Sequence, residues 1–461
     1  MAIKRLLIAN RGEIAVRIIR AAKSMGIHTI QAYSEADEDS LAVRLADESV
    51  LIGKPPASKS YLNIEAIVAG AQDTKADAVH PGYGFLAENG EFADAVGSVG
   101  LIFVGPKGST IRHLGDKVEA RLAANAAGLP TVPGSFGRID LTHRLDVIGG
   151  ELNFPVLIKA AAGGGGRGIR IARNEEEFCR LAPQAAVEAQ AAFGDNGIYV
   201  EAYIERARHI EVQIIGDGSR AVHLFDRECS LQRHRQKIWE EAPASVVSDE
   251  IRNQLCQSAV AFAESVGYCG AGTMEFLYDA EREKYYFLEV NTRIQVEHPV
   301  TEFVTAIDLI RESIRIADGG CLLLNQEDIV LSGHSIECRI NAEDPANGFM
   351  PSPGIVSALS VPGGPGVRFD SMLFSGCSIP PFYDSLIGKL IVWDESRDFA
   401  LQRMRGALEE LQIEGILTTK PLHQALLDDA RIKDGEMHIE FLDHWLDKSM
   451  SRLTQIRDGE Q

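Results

Sequence analysis

The sequence has no CxxC pair, no apolar run of about 18 residues or more, and no excess of positive charge. Each absence excludes something. Without metal or redox spacing, Cys179, Cys229, Cys256, Cys269, Cys321, Cys338 and Cys377 read as scattered thiols of a reducing compartment, not as disulfides or a zinc site. Without a long apolar run, no membrane span is implied, and MAIKRLLIANRGE has too short an apolar core for a secretory signal. With 46 basic against 66 acidic residues and a net charge of −20, general nucleic-acid binding and surface anchoring to a membrane are disfavoured, whereas a local basic pocket for an anion is not. The expectation is a cytoplasmic protein. The first βα turn lacks GxGxxG and the glycine tract lacks GK[ST], which removes two common nucleotide fingerprints.

What is present suffices for about three domains. KRLLIA, IAVRIIRAAKSMG, HTIQAYS, ESVLIG, a helix near 62–72 and ADAVHP form a βαβ series, predicting a parallel, doubly wound sheet over about residues 1–115. His80-Pro81-Gly82-Tyr83-Gly84-Phe85 follows a strand at the sheet edge where such folds bind ligands, although a plain turn would look the same. A helix at 117–127 leads to NFPVLIKAAAGGGGRGIRIAR, read as strand, glycine loop, strand. Gly163, Gly164, Gly165 and Gly166 let backbone N–H groups close on phosphate, with Lys159 as a point charge. A linker is the alternative, but two apolar strands bracket the loop closely. A helix over 174–193 and the strand IYVEAYI follow. The run Arg233-His234-Arg235-Gln236-Lys237 is read as an anion pocket rather than a solvated charge run.

GTMEFLYDAEREKYYFLEVN reads as a hairpin turning near Arg282, which places Glu275 opposite Glu289. Facing carboxylates need a proton or a cation, and with phosphate nearby a hard divalent ion such as Mg²⁺ or Mn²⁺ is the better explanation. Along residues 287–302, Glu289, Asn291, Arg293, Gln295 and Glu297 fall at every second position, so an extended ribbon would present them on one face. A helix over 303–319 follows, then a β-rich third unit with helices at 398–411 and near 420–429. The last dozen residues are polar and expected to fray.

The chain resembles biotin carboxylase, the ATP-grasp component of biotin-dependent carboxylases, over roughly residues 2–445. The carrying motifs are IANRGEIAVRIIRA, HPGYGFLAEN, GDK at 115–117, KAAAGGGGRG, ECSLQR with QK at 236–237, EEAPA, TMEF, EVNTRIQVEHPVTE, ECRINAEDP and YDSLIGKL. The resemblance implies an α/β and α+β architecture. An N-terminal Rossmann-like domain would span 1–115 and an ATP-grasp domain 116–330, with a mobile lid over about 131–203. An α+β C-terminal domain would span 331–447, with a polar tail at 448–461. It implies an ATP-dependent ligase that activates bicarbonate as carboxyphosphate and carboxylates biotin held on a separate carrier. Lys117, Lys159 and the four glycines would hold ATP phosphates. Glu201, Ile204 and Ile439 would frame the adenine, and His209 and Gln232 would lie near the ribose. Glu275 and Glu289, with Asn291, would hold Mg²⁺ or Mn²⁺. Lys237, Arg293, Gln295 and the Val296 amide would grip bicarbonate. Glu297 would take its proton, Arg339 would stabilise the biotin enolate, and Tyr83 would lie by the biotin.

Departures from the family pattern carry expectations too. Most members have Arg-Arg-His-Gln-Lys at 233–237; here Arg235 replaces the histidine near the ribose. It donates to hydroxyls but does not accept, so altered nucleotide affinity is expected. Trp239 is bulkier than the usual aliphatic residue, and Ala202 stands where a basic residue is common. Ser24 and Pro365 replace a glutamate and a phenylalanine that support the usual homodimer, while Arg20 and Arg368 are kept; a homodimer is still expected. No Met-Lys-Met occurs, so the biotin carboxyl carrier protein and the carboxyltransferase are expected on other chains, in acetyl-CoA carboxylase (fatty acid biosynthesis) or a related carboxylase. The alternatives are another ATP-grasp ligase, against which the Arg293, Gln295, Glu297 and Arg339 set argues, and a silent ATP-binding regulatory subunit.

Overall fold

The computed structural model describes residues 3–134, 138–139, 153–160 and 169–459. Gly163, Gly164, Gly165, Gly166 and Arg167 lie outside the described residues. Among these described residues no helix is long and apolar enough to cross a membrane.

The first βα units build an all-parallel five-stranded sheet in the order Glu48–Gly53, His28–Ser34, Arg5–Ile8, Ala78–His80, Ile102–Phe103. Its central strands are covered on both faces, which is why KRLLIA and ADAVH read as apolar runs rather than alternations. Strand order reverses between Arg5–Ile8 and Ala78–His80. At such a switch point the carboxyl ends of the strands open a crevice. Residues 10–13 and 81–85 enter it. Asn10 Nδ2 donates to the carbonyls of Pro81 and Tyr83, both at 2.7 Å. Gly82 has φ +63°, and a Cβ there would lie 2.9 Å from Asn10 Nδ2, so glycine is required. The loop is therefore more than a turn.

An eight-stranded antiparallel sheet forms the centre, in the order Lys284–Asn291, Cys269–Asp279, Arg208–Asp217, Ala221–Arg233, Gln236–Ala242, His334–Asn341, Leu386–Asp394, Val367–Ser371. Trp239 pairs with Cys338 where the middle of the chain meets the C-terminal strands, so one sheet spans both. The bulky Trp239 is 1% exposed and its indole N–H donates to Glu241 at 2.9 Å, which satisfies its polar edge. A separate sheet places Val156–Ala160 between Arg170–Ala172 and Ile198–Ala202, both antiparallel. The helix Glu175–Phe193 covers it, with Phe178, Ala182 and Ala185 packed among Ile158 and Val200.

Three sequence expectations change. The helix expected over 303–319 is two helices, His298–Thr305 and Leu309–Ala317. Ala306 turns left-handed at φ 57° and Asp308 caps the second helix; no glycine or proline announces the break. The tail expected to fray is part of the helix Phe441–Gly459, which Leu453 helps to anchor at 1% exposure. The five-residue polar row is not one extended ribbon. Only Glu289 and Asn291 lie on the strand Lys284–Asn291, while Glu297 sits at φ −79°, ψ 6° and caps His298–Thr305. Helix formation from His298 ends the extended geometry that strict alternation requires.

Candidate active site

The hairpin register is the foundation of the site. Asp279 to Phe276 pair regularly with Lys284 to Phe287, then Leu288 is an extra residue and Glu275 pairs with Glu289. Without this β-bulge Glu275 would face Leu288, and Glu289 would move to the other face. On the other side of its strand Glu275 pairs with Glu211, and Glu211 with Arg227. Arg227, Glu211, Glu275 and Glu289 therefore form a row across four strands. Three adjacent carboxylates would repel. The row holds because cations are built into it. Arg227, wholly buried, donates to Glu211 at 2.5 Å, Gln213 at 2.6 Å and Gln295 Oε1 at 2.8 Å. Lys237 Nζ reaches Glu211 at 2.6 Å, Glu297 at 2.7 Å and Glu275 at 2.8 Å. His209 Nε2 lies 3.2 Å from Glu275.

Electrostatics follow from this packing. Burial alone would raise the Glu297 carboxyl, but Lys237 and Arg339 outweigh it and hold it at about 2. Burial likewise opposes ionisation of Glu211 and Glu275. Arg227 and Lys237 overcome it at the first, and Lys237 and His209 at the second, so both stay below the usual carboxylate range. Burial would lower His209, yet Glu275 raises it to about 9. Glu240 is pushed up to about 7 by burial, with Arg339 opposing.

Arg339 Nε donates to Glu240 at 2.6 Å and its Nη2 to Glu297 at 3.0 Å. Arg293 Nε donates to Glu88 at 2.9 Å and its Nη2 to Asn291 at 3.0 Å. Gln295 Nε2 and Asn291 Nδ2 both donate to Glu275, at 2.8 and 2.9 Å. The Val296 carbonyl accepts from Lys389 at 2.7 Å, and Tyr83 donates its hydroxyl to Glu13. Arg339, Glu297, Arg293, Asn291, Gln295, Glu275, Val296, Tyr83 and Glu13 line a cavity of about 700 Å³, with Glu240, Glu88 and Lys389 behind them. Among the described residues, nine lysines and arginines line it against seven aspartates and glutamates. The chain as a whole is strongly acidic, so the cavity favours anions.

Lys117 also lines the cavity and lies 3.4 Å from Glu289. Ile204, Ala207, Leu277, Leu288 and Ile439 line the cavity as an apolar slot, backed by Val132 and Ala202. Ile439 N–H donates to the Ala207 carbonyl at 3.0 Å. Gln232 is buried and donates to the Cys229 carbonyl at 2.9 Å.

Of the described residues given a site role from the sequence, Glu201 alone does not line the cavity. Its carboxylate is held by Lys159 and by Arg121, so Lys159 is engaged there as well. Four residues of the run at 233–237, Arg233, Arg235, Gln236 and Lys237, line the cavity, but they meet different partners there, and His234 does not line it. Arg233 stacks on Phe349 at 3.8 Å, His234 points to solvent, and Lys237 is enclosed by three carboxylates. The cause is a two-residue hairpin turn, with His234 and Arg235 at φ 46° and 68°, which sends neighbouring side chains apart. Arg368 donates to Glu302 and Asp370 of its own chain.

For a hard cation, Glu275 and Glu289 face each other in register and Asn291 adds an amide oxygen, an oxygen donor set that fits Mg²⁺. Among the described residues, two other clusters bring ligating atoms within 4.8 Å of one another, His209 with Glu211 and Glu275, and Glu211 with Cys229 and Glu297. Lys237 and Arg227 already neutralise them.

Sequence reasoning missed Glu211, Arg227, Glu240 and Glu88. The signal for Glu211 was present: His209, Glu211 and Gln213 alternate with Ile210, Val212 and Ile214, a polar face inside a buried strand.

A family model for the biotin carboxylase N-terminal domain matches residues 2–111, one for the carbamoyl-phosphate synthase L chain ATP binding domain matches 116–324, and one for the biotin carboxylase C-terminal domain matches 337–444. The chain is 51% identical over 442 residues to biotin carboxylase 1 of Bacillus subtilis (strain 168), covering 96% of this chain and 98% of the relative. Among solved structures it is similar to the biotin carboxylase domain of Hydrogenobacter thermophilus 2-oxoglutarate carboxylase, in complex with MgADP, ADP and bicarbonate. That match has a TM-score of 0.91 and 47% identity, covering 96% of this chain and 97% of that one. It is also similar to the Campylobacter jejuni biotin carboxylase–β,γ-ATP complex, with a TM-score of 0.92 and 45% identity, covering 96% and 99%.

Proposed function

The chain belongs to the biotin carboxylase family of ATP-dependent ligases, and on that premise we propose how its residues divide the work of carboxylating biotin from bicarbonate and ATP. Ile204, Leu277 and Ile439 seat the adenine in the apolar slot, with Gln232 and His209 toward the ribose. Lys117 and Lys159 meet the phosphates, with Gly163, Gly164, Gly165 and Gly166 closing over them. Glu275, Glu289 and Asn291 would hold Mg²⁺, or Mn²⁺ in its place, and the ion would supply neutralisation of phosphate charge. Lys237, Arg293, Gln295 and the Val296 amide hold bicarbonate.

The free site is self-paired, which constrains the mechanism. Lys237 gives its three N–H bonds to Glu211, Glu275 and Glu297, and Glu88 holds Arg293. Bicarbonate entry exchanges these partners. As Lys237 turns to the anion, Glu297 loses its main cationic neighbour and its carboxyl rises from about 2 toward a useful base. Glu297 then takes the bicarbonate proton, and the resulting carbonate attacks the γ-phosphoryl group, whose bond to the departing ADP breaks, to give carboxyphosphate. This splits into CO₂ and phosphate, the phosphate takes the N1′ proton of biotin, and N1′ bonds to the CO₂. Arg339, permanently charged, stabilises the enolate of biotin beside Tyr83. The observation that carries this reading is Glu297 held between Lys237 and Arg339, in the same cavity as the Glu275 and Glu289 pair.

The assembly we propose is that of acetyl-CoA carboxylase or a carboxylase related to it, with the biotin carrier and the carboxyltransferase on other chains and this subunit as a homodimer. In a homodimer Arg368, engaged with Glu302 and Asp370, would contribute less than the family pattern suggests. A cytoplasmic location accords with seven free cysteines. With Mg²⁺ and ATP, the purified chain should release phosphate only when bicarbonate is present, and faster with free biotin. Metal-replete, folded protein that hydrolyses no ATP under these conditions would refute the reading.

A further inference from the structure

Lys389 has no exposed surface, yet it is not part of any hydrophobic core. It lies on Leu386–Asp394, directly across the ladder from Arg339. Two adjacent cations in a buried sheet are unfavourable unless each has its own acceptors. Those of Arg339 are Glu240 and Glu297. Lys389 has its own. Its ammonium donates to the Val296 carbonyl at 2.7 Å and lies 3.2 Å from Glu13 Oε1. The same Glu13 oxygen accepts the hydroxyl of Tyr83. Glu13 is 2% exposed and belongs to the helix Gly12–Ser24, which begins in the crevice of the N-terminal sheet.

One continuous buried chain thus runs from the Tyr83 hydroxyl through Glu13 and Lys389 to the Val296–Glu297 peptide. Its members come from three parts of the sequence: the N-terminal sheet, the turn before His298–Thr305, and the C-terminal strands. The Val296 carbonyl belongs to the peptide that sets the start of Glu297, so the grip of Lys389 on it fixes how Glu297 is aimed. Resting on the site assignment above, we propose that Glu13 and Lys389 are positioning residues that join the biotin side of the cavity at Tyr83 to the bicarbonate side at Glu297, so that filling one subsite orders the other.

The physical basis is rigidity. Every group in the chain is buried or half-buried, and each link is a hydrogen bond to a group with a defined direction. A shift of Tyr83 when biotin arrives moves its acceptor Glu13, and through Lys389 moves the peptide that carries the base. Misplacement by about 1 Å costs as much as a hundredfold in rate, so a small displacement is enough to couple the two subsites.

The test uses the full chain with Mg²⁺, ATP, bicarbonate and free biotin, measuring phosphate release with and without biotin. Lys389→Met removes the grip on the peptide and is expected to lower kcat about tenfold or more and to leave the KM for ATP within about twofold. Glu13→Leu cuts the chain on the tyrosine side only. It is expected to lose most of the stimulation by biotin, read as the ratio of its own rates with and without biotin. Glu13→Gln keeps an acceptor oxygen and should restore that stimulation. Should Lys389→Met fail to fold, the Glu13 pair of variants decides alone. Full biotin stimulation in Glu13→Leu, or its loss in both Glu13→Leu and Glu13→Gln, would overturn the proposal. A wild-type chain without bicarbonate-dependent hydrolysis would instead overturn the site assignment on which it rests.

Discussion

Replacing Glu211 by glutamine removes the carboxylate between two buried cations. Arg227 lies 2.5 Å from it and Lys237 2.6 Å, and Glu211 has no exposed surface. Removing one partner of a buried pair costs about 3–5 kcal/mol, because the remaining charge is left uncompensated. The amide retains one acceptor oxygen, and Lys237 retains Glu275 and Glu297, so the low end applies, about 3 kcal/mol. The effect reaches the site through Arg227, which also orients Gln295 at 2.8 Å. A fall in kcat of about tenfold is expected, with the KM for ATP little changed. The sign with pH is fixed. Burial raises the Glu211 carboxyl, Arg227 and Lys237 lower it further than that, and the net shift is below the ordinary 4.5. Its contribution to stability is present above pH 4.5 and lost as pH falls through the folded value. Urea unfolding of wild type and Glu211→Gln should differ at neutral pH and converge in acid. Equal midpoints at pH 7 would refute the charge row. A lower midpoint with unchanged kcat would show that the row serves stability only.

Other expectations follow from the same geometry. His209, raised to about 9 from 6.5, contributes stability that is fully present below pH 6.5 and lost as pH rises through 9. Wild type should therefore exceed His209→Gln at pH 6 and match it near pH 10, and a gap that widens with pH would contradict this. Glu240, pushed up to about 7 by burial and by Glu297 against the opposing Arg339 and Lys237, should give biotin carboxylation an ionisation near neutrality. Glu240→Gln should remove that limb from the pH profile of kcat/KM, and an unchanged profile would sink the assignment. Arg235→His should change the KM for ATP with kcat preserved. An unaltered KM would mean that the exchanged turn residues do not touch nucleotide binding.

Much of the fold was legible because its signals are local. Apolar runs marked the parallel strands, and the polar AEREK between two β-rich runs marked the hairpin. The facing of Glu275 and Glu289 was inferred from a turn near Arg282. The structure reaches that pairing through a bulge at Leu288 that no residue type announces. The helix break at Ala306 was invisible because alanine favours helix, and it is the Asp308 cap that restarts the chain. The site was legible where residues alternate on one strand and through the family motifs. It was not legible where partners come from across the sheet. Glu211, Arg227, Glu13 and Lys389 are charged residues in apolar surroundings, and only the register of distant strands shows which charges meet.

The most direct measurement follows label from bicarbonate into free biotin, with Mg²⁺ and ATP, for wild type and Glu297→Gln. The Lys237–Glu297–Arg339 arrangement predicts ATP-dependent label transfer by wild type. Glu297→Gln should lower it about a hundredfold or more and keep the KM for ATP. Label transfer by Glu297→Gln at the wild-type rate would contradict the central role of that carboxylate.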